Sequence, residues 1–479
     1  MGAHRMDDVR FGTDGWRGVI ADEFTVERLR RVIQAVMSYV TREKRSPLIL
    51  IGHDTRFLSD YYARVAAEVA AGAGAKALID PRPVTTPMLS YAVFSQGAEG
   101  GIMITASHNP YDYSGVKFKA GYGGSAVPRI TREIESFLGK SPASATPYDK
   151  AREEGAVTET DFFPPYRKRM GELINVAAIR EAGFTAALDC MHGSIGGHVR
   201  MLREGLGLAI KPLRPERDPY FGGVNPDPVE EHLDRLKSTV REGGFDIGIA
   251  VDGDADRFSV VDAEGVCVSP HYALALLVLH MNRNRGESGM VVKTVSTSSI
   301  VDRVAHGLGL PVRETPVGFK HICEAMLADD VLIGGEENGG VGIKGHIPER
   351  DGLLAALLLM EMMAVEGKSL GNLVSEVEKL YGRSYYRRLD LPMGGAERIR
   401  AFREIKDGAR SVFAGFGVKD VKTQDGVKVI LADGSWALFR PSGTEPVLRV
   451  YCEAPEEARL EDIVARAKEA FLGQGGHRG

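Results

Sequence analysis

Cysteine is scarce and scattered: Cys190, Cys267, Cys323 and Cys452 form no C-x-x-C pair, which argues against a zinc site or a disulfide framework and fits a reducing, cytoplasmic setting. They read as small buried hydrophobes. Long apolar runs are missing too. The two most apolar segments, "YALALLVLHM" (272–281) and "LLAALLLMEMMAV" (353–365), fall short of the roughly 20 residues that span a bilayer, so they read as buried core helices and no membrane is expected as a partner. The N-terminal stretch "MGAHRMDDVRFGTDG" lacks the apolar h-region of a signal peptide. Basic charge is not in surplus: 60 Lys and Arg against 65 Asp and Glu give a formal net charge of −5, so nucleic acid is not an expected partner.

What remains is an ordinary globular composition, 43% hydrophobic and 26% charged, on a chain of 479 residues that is too long for one core. One pattern recurs along it: a short continuous run of Val, Ile, Leu and Ala, a polar or Gly-containing loop, then a helical stretch. The runs are "PLILIGHDTR" (47–56), "GIMITASHNP" (101–110), "FTAALDCMHGS" (184–194), "FDIGIAVDGDADR" (245–257), "GMVVKTVSTSS" (289–299) and "DVLIGGEENGG" (330–340). Continuous runs suit strands buried on both faces, hence mostly parallel sheets with helices on either side. The six fall into three pairs, which predicts three successive α/β units of similar design. Polar segments at 139–157, 262–270 and 381–395 mark the boundaries. The tail alternates strand-like pieces around a "DG" turn and closes on the helix "LEDIVARAKEAFL", so it reads as a smaller α+β unit. The expected domains are 1–150, 158–264, 265–380 and 384–479.

Ligands of open parallel α/β sheets gather at loops beyond the carboxyl ends of the strands, and four loops stand out. In "AVDGDADRF" (250–258), Asp252, Asp254 and Asp256 alternate directly after an apolar strand; carboxylates so crowded call for a cation, and oxygen-only ligands favour Mg²⁺ or Ca²⁺ over zinc. An EF-hand is excluded, because its sixth and twelfth places hold Arg257 and Ala263 instead of Gly and Glu. Arg257 suits either phosphate oxygens or its own acidic neighbours. In "FRPSGTEP" (439–446), Arg440, Ser442, Gly443 and Thr444 make either an anion cradle or a plain turn, and the Walker A pattern is absent. "GGEENGG" (334–340) offers Glu336 and Asn338 to vicinal hydroxyls, with glycines that let a ligand approach the backbone, or else it is a glycine-rich surface loop. In "TASHNP", Ser107 is a candidate nucleophile, His108 a proton-transfer group and Lys117 a cation or acid/base beside it. The elbow G-x-S-x-G is absent, so acyl transfer is not favoured. A nucleophile, a divalent cation, a polyol binder and a phosphate binder together describe phosphoryl transfer on a sugar phosphate.

These residues, in the order "FGTDGWRG" (11–18), "TASHNP", "DGDADR", "GEENGG" and "RPSGTEP", resemble the α-D-phosphohexomutases, the phosphoglucomutase and phosphomannomutase family. The resemblance implies three α/β/α domains with mixed, mostly parallel sheets and a C-terminal α+β domain around a central cleft. It implies that Ser107 carries the phosphate, that Asp252, Asp254 and Asp256 hold Mg²⁺ against it, and that Arg17, His108, Lys117 and Arg257 surround the reacting group. Glu336, Asn338 and Lys320 would read the sugar, and Arg440, Ser442, Gly443 and Thr444 the non-reacting phosphate, with a hexose 1,6-bisphosphate as activator and a monomer or homodimer as the working form. The family commonly has Ser where this chain has Asn338, and its mannose-type members often have His where this chain has Gly340, while "GFKHI" and "GHIPERDG" look closer to the phosphoglucomutase branch, so glucose phosphates are the expected substrate, with a dual phosphomannomutase/phosphoglucomutase and then a phosphoglucosamine mutase as the alternatives; His346 or His321 would then take over a proton-transfer role. Two rivals are a dehalogenase-type site with Asp252 as nucleophile, which leaves "TASHNP" and "RPSGTEP" unexplained, and a sugar-phosphate-binding relative without turnover.

Overall fold

Each pair of apolar runs becomes a pair of adjacent parallel strands. In the computed structural model, which describes residues 9, 11–12, 14–42, 44–442 and 446–472, Leu48–His53 lies beside Gly100–Ile104, Thr185–Asp189 beside Ile247–Val251, and Met290–Thr294 beside Val331–Gly335. The same neighbours recur in all three sheets. The earlier strand of each pair has a parallel neighbour on its outer side (Lys76–Ile79, Ala209–Leu213, Val312–Thr315), reached through a helix (Ser59–Gly72, Val199–Leu206, Ile300–Gly307). The later strand turns back into an antiparallel one (Tyr113–Ala120, Phe258–Asp262, Val341–Ile343). The sheets are therefore mixed, parallel on one side and antiparallel on the other. The later strands are buried along their whole length, as helices on both faces require.

The first sheet is extended at both edges. Trp16–Val19 pairs antiparallel with Tyr113–Ala120, and Val157–Glu159 adds in parallel to Lys76–Ile79. The polar segment 139–157, expected as a boundary, thus folds back onto the first unit through the short helix Tyr148–Glu153, with Ala151 and Val157 buried. Two isolated apolar residues give no periodicity that a sequence pattern could register.

Helix starts follow local chemistry. Thr25 and Thr85 accept N–H groups of Arg28 and Met88 at the starts of Val26–Thr41 and Thr86–Gln96, the latter with Pro at its first turn, where a missing N–H costs nothing. The expected core helix is Gly352–Glu366, buried on nearly every face. Its cap, Asp351, accepts from Leu354 N at 3.0 Å and from Tyr166 OH at 2.9 Å, with His346 Nε2 at 3.2 Å. A single apolar cluster runs through the first three units, including Leu89 and Met103, Tyr166 and Ile249, and Ile333 and Leu357. The fourth unit has its own core under a five-stranded antiparallel sheet. It docks on the third through Trp436, Leu438 and Tyr451 against Val295, with Tyr386 OH donating to Ser296 O at 2.8 Å and Lys428 Nζ to Glu314 Oε2 at 2.7 Å. Among the described residues no helix is long and apolar enough to cross a membrane.

Two outcomes follow. Asp351→Ala removes the cap and orphans Tyr166 OH, so thermal unfolding should show a loss of about 2–4 kcal/mol, against about 1 kcal/mol for Tyr166→Phe. His271 packs on Tyr386 of the fourth unit with ring centroids 4.1 Å apart; burial, partly offset by Glu453 and Glu337, lowers it from 6.5 to about 4. The unfolded chain binds the extra proton first, so stability should be lost as pH falls from about 6.5 to about 4, by up to roughly 3 kcal/mol. His271→Phe should flatten that part of a pH-dependent unfolding series.

Candidate active site

Ser107 opens the turn that follows the strand Gly100–Ile104. It is buried, with a left-handed φ of 54°, a conformation that costs energy for any residue with a Cβ. Its N–H donates to Thr105 Oγ1 at 2.8 Å, and its hydroxyl points across the domain boundary to Asp252 Oδ2 at 2.7 Å. The close approach depends on Gly253: a Cβ there would lie 2.7 Å from Ser107 O.

Asp252, Asp254 and Asp256 are fully buried and offer ligand oxygens within 4.8 Å of one another. Their other bonds leave a definite set of atoms. Lys117 Nζ, on the strand Tyr113–Ala120, donates to the Oδ2 of both Asp254 and Asp256 at 2.7 Å, and Thr86 Oγ1 also takes Asp254 Oδ2. Arg350 Nη2 donates to Asp256 Oδ2 at 2.6 Å. Asp252 Oδ1 accepts Arg257 N at 3.1 Å. Asp254 Oδ1 and Asp256 Oδ1 are buried with no hydrogen-bond partner, and Asp252 Oδ2 faces only the serine hydroxyl. Orphaned carboxylate oxygens inside a protein are costly, and two of them in a close-set group of three buried carboxylates, the third facing a hydroxyl, fit a hard, oxygen-loving divalent cation such as Mg²⁺.

The electrostatics agree. Burial, reinforced by Asp256 and Asp254, holds the Asp252 carboxyl well above its usual range, the mark of a carboxylate awaiting a counter-charge. Burial would lower Lys117, but Asp14, Asp254 and Asp256 outweigh it and raise it, so this lysine stays a cation. Burial, then Arg257 and Arg17, press His108 well below 6.5, which keeps it neutral. Arg17 donates to Asn109 Oδ1.

The loop 334–340 lies against the loop of the three aspartates. Phe258 N donates to Gly339 O at 3.2 Å, and Arg257 and Gly340 form an isolated bridge. Gly339 makes room for this strand: a Cβ on it would sit 2.1 Å from Phe258 O. Asn338 Oδ1 caps its own loop by accepting Gly340 N at 3.0 Å. Glu336 is raised to about 7 by burial, against the pull of Arg350, whose Nη1 is 3.3 Å from its Oε2. Lys320 Nζ reaches Gly12 O at 3.3 Å. In the fourth unit Arg440 Nε bonds Asp425 Oδ2 at 2.9 Å and Ser442 N bonds Val447 O. Burial lowers Lys320 and His321, with Arg132 and Arg440 adding to the first shift and Lys320 and Arg440 to the second, so Arg440 of the fourth unit lies within electrostatic reach of both residues of the third. Gly443 and Thr444 lie outside the described residues. His346 does not face this region in the way expected of a proton carrier: its ring stacks on Tyr91 and bonds Asp351, where the first three units meet.

Models of the phosphoglucomutase/phosphomannomutase α/β/α domains I, II and III and of the C-terminal domain match residues 8–143, 164–265, 269–381 and 389–470. The chain belongs to the phosphoglucomutase/phosphomannomutase family. It is a phosphohexomutase. It is 31% identical over 458 residues to a phosphoglucomutase/phosphomannomutase of Thermococcus kodakarensis, covering 95% of this chain and 96% of that one. It is 28% identical over 455 residues to a phosphoglucosamine mutase of Caldicellulosiruptor saccharolyticus (94% and 96% covered). A Thermus thermophilus crystal structure with a provisional phosphomannomutase name superposes with a TM-score of 0.84 at 36% identity, over 96% of this chain and 98% of that one. The Aspergillus fumigatus N-acetylphosphoglucosamine mutase, solved with GlcNAc-6P and magnesium, shares the fold with a TM-score of 0.59 at 17% identity (96% and 95% covered).

The phosphohexomutase site also uses residues that the sequence did not single out: Asp14, Thr86, Arg350 and Arg56. Asp14 Oδ2 is 2.9 Å from Lys117 Nζ and also meets Arg350. Asp14 and Arg350 lie inside quoted motifs, "FGTDG" and "PERDG", where their charge was the available signal; Thr86 had none. Asp254→Asn keeps the side chain's shape but removes the charge of an orphaned oxygen, so Mg²⁺ affinity measured by calorimetry should fall at least about tenfold, or about 1.4 kcal/mol.

Proposed function

We propose that this phosphohexomutase is a phosphoglucomutase, interconverting glucose 1-phosphate and glucose 6-phosphate through a phosphorylated Ser107 and a glucose 1,6-bisphosphate intermediate. The observation that carries the reading is the Ser107 hydroxyl, held 2.7 Å from Asp252 Oδ2 beside two orphaned carboxylate oxygens. Asp252, Asp254 and Asp256 would hold Mg²⁺ together with the phosphate on Ser107. Bound there, it would neutralise the carboxylates and the charge that spreads over the phosphoryl oxygens during transfer.

The chain's own groups divide the remaining work. The free 6-hydroxyl of glucose 1-phosphate attacks the phosphorus on Ser107; the bond from phosphorus to Oγ breaks as the bond to O6 forms. His108, neutral and with Nδ1 unpartnered, takes the hydroxyl proton, and Ser107 Oγ is left as the acceptor for the return transfer. Lys117 fixes Asp254 and Asp256, while Arg17 and Arg257 stand by the transferring group as fixed cations. The bisphosphate turns over in the cleft, Ser107 Oγ attacks its 1-phosphorus, the bond from phosphorus to O1 breaks as that to Oγ forms, O1 takes the proton back from His108, and glucose 6-phosphate leaves. Arg440 and Ser442, with Lys320, hold whichever phosphate is not reacting. Glu336 and Asn338 read the ring hydroxyls, Asn338 through its NH₂, since its oxygen caps the loop.

Glucose is favoured by Gly340. A Cβ there would lie 2.5 Å from Arg350 Cδ, so the place of a mannose-type histidine is taken by the arginine stem. Names among the relatives nonetheless span glucose, mannose and glucosamine phosphates.

kcat/KM for glucose, mannose and glucosamine 1-phosphates, measured with Mg²⁺ and a priming hexose 1,6-bisphosphate, should favour glucose by about a hundredfold, roughly 2.7 kcal/mol of transition-state discrimination. A preference for either other sugar overturns the substrate, not the chemistry. Ser107→Ala should fold normally and lose turnover by at least about 10³-fold; retained activity would end the phosphoserine reading.

A further inference from the structure

We propose that Arg56 is a positioning residue for the phosphate carrier: its guanidinium is the template that holds the turn of Ser107 in its left-handed form. The inference rests on Ser107 being that carrier and extends it to a residue that touches neither sugar, metal nor phosphate.

Arg56 follows the strand Leu48–His53 and is completely buried. Its fork is spent on backbone. Nη2 donates to Ser107 O at 2.6 Å and Asn109 O at 2.7 Å, and Nη1 to Pro110 O at 2.6 Å and Tyr113 O at 3.1 Å. One planar cation thus gathers four carbonyl oxygens of a single loop, and the first belongs to the residue whose φ is 54°. Carbonyls turned inward by such a bend need donors, and a left-handed serine needs surroundings that over-determine it. Lysine could supply neither the plane nor four simultaneous directions.

Arg56 is itself fixed from two sides. Asp54 Oδ2 is 3.1 Å from its Nε, while Asp54 Oδ1 accepts Arg56 N and Ser59 Oγ. From the second unit, the Phe221 ring covers the guanidinium, with Cζ 4.9 Å from the centroid, and Arg217 donates to the carbonyls of Thr55 and Arg56 at 2.9 and 3.0 Å. The second unit also carries Asp252, the acceptor of the Ser107 hydroxyl. Docking of the two units therefore sets both the bond that the serine makes and the scaffold that aims it.

The test compares wild type with Arg56→Lys and Arg56→Ala by hydrogen exchange over residues 105–113 and by steady-state kinetics with glucose 1-phosphate, Mg²⁺ and glucose 1,6-bisphosphate. In Arg56→Lys, amide protection of 105–113 should fall at least about tenfold, and kcat about 100-fold, the scale of a displacement near 1 Å. KM should stay within about threefold. Guanidinium ion added to Arg56→Ala should restore kcat at least about tenfold, a rescue that a purely structural role would not give. Unchanged protection, a kcat within about threefold of wild type, or a loss confined to KM each overturns the proposal. Should the arginine variants not fold, Phe221→Leu decides: looser exchange at 105–113 supports the template, and unchanged exchange overturns it. Because exchange does not depend on turnover, an active Ser107→Ala would defeat the phosphoserine reading separately.

Discussion

The site is organised around one buried ammonium group. Lys117 Nζ lies 2.7 Å from Asp254 Oδ2, 2.7 Å from Asp256 Oδ2 and 2.9 Å from Asp14 Oδ2, all within a nearly solvent-free interior. Taking these charges out of water costs several kcal/mol per ion, and only mutual proximity and good hydrogen bonds offset that cost. Lys117 and Asp14 belong to the first sheet's unit and the two aspartates to the second, so the ion cluster exists only when the units are docked. Arg350 brings in the third unit through Asp256, Asp14 and Glu336. Preorganisation of the carboxylates follows from the same bonds: with the Oδ2 atoms of Asp254 and Asp256 taken by cations, each Oδ1 is left buried without a partner.

The repeated α/β unit explains why three different chemistries meet. In every copy the functional loop follows the same strand, the later of the parallel pair: Gly100–Ile104 precedes Ser107, Ile247–Val251 precedes Asp252, and Val331–Gly335 precedes Glu336. Parallel strands flanked by helices expose only their ends, and the carboxyl ends are where loops can diverge without disturbing the core. The loops are bound to one another by backbone, Phe258 N to Gly339 O and Gly352 N to Ala255 O. Glycine at 253 and 339 is what allows main chains to come so close.

This geometry also separates what a sequence can and cannot disclose. Ser107, the three aspartates and Glu336 were legible because a polar cluster at the end of a continuous apolar run is improbable unless it is used. The three-unit plan was legible for the same reason, since burial on both faces writes unbroken Val, Ile and Ala runs. Arg56, Thr86 and Arg350 were not, because their roles lie in partners 51 to 336 positions away, and no local period records such a distance. The residues that were singled out hid their details: nothing in "EENGG" says that Asn338 spends its oxygen on Gly340 N, or that Gly339 makes room for the neighbouring strand.

The fourth unit stands apart in its packing, with a core of its own and contacts that run to the third. In the proposed reaction, a phosphate held there and a phosphoryl group transferring at Ser107 would lie at opposite ends of one hexose. When the bisphosphate turns over, both ends must fit both places, so neither the cradle nor the serine site can be shaped to a particular end of the sugar. The loop at 336–340 would then meet the ring in both orientations as well. It can then rely only on features that survive the reversal, such as one acceptor at Glu336 and one donor at Asn338. Two hydrogen bonds discriminate epimers by a few kcal/mol at most. On that reading a neighbouring side chain would be enough to shift the preferred hexose, which is compatible with the spread of names among relatives near 30% identity.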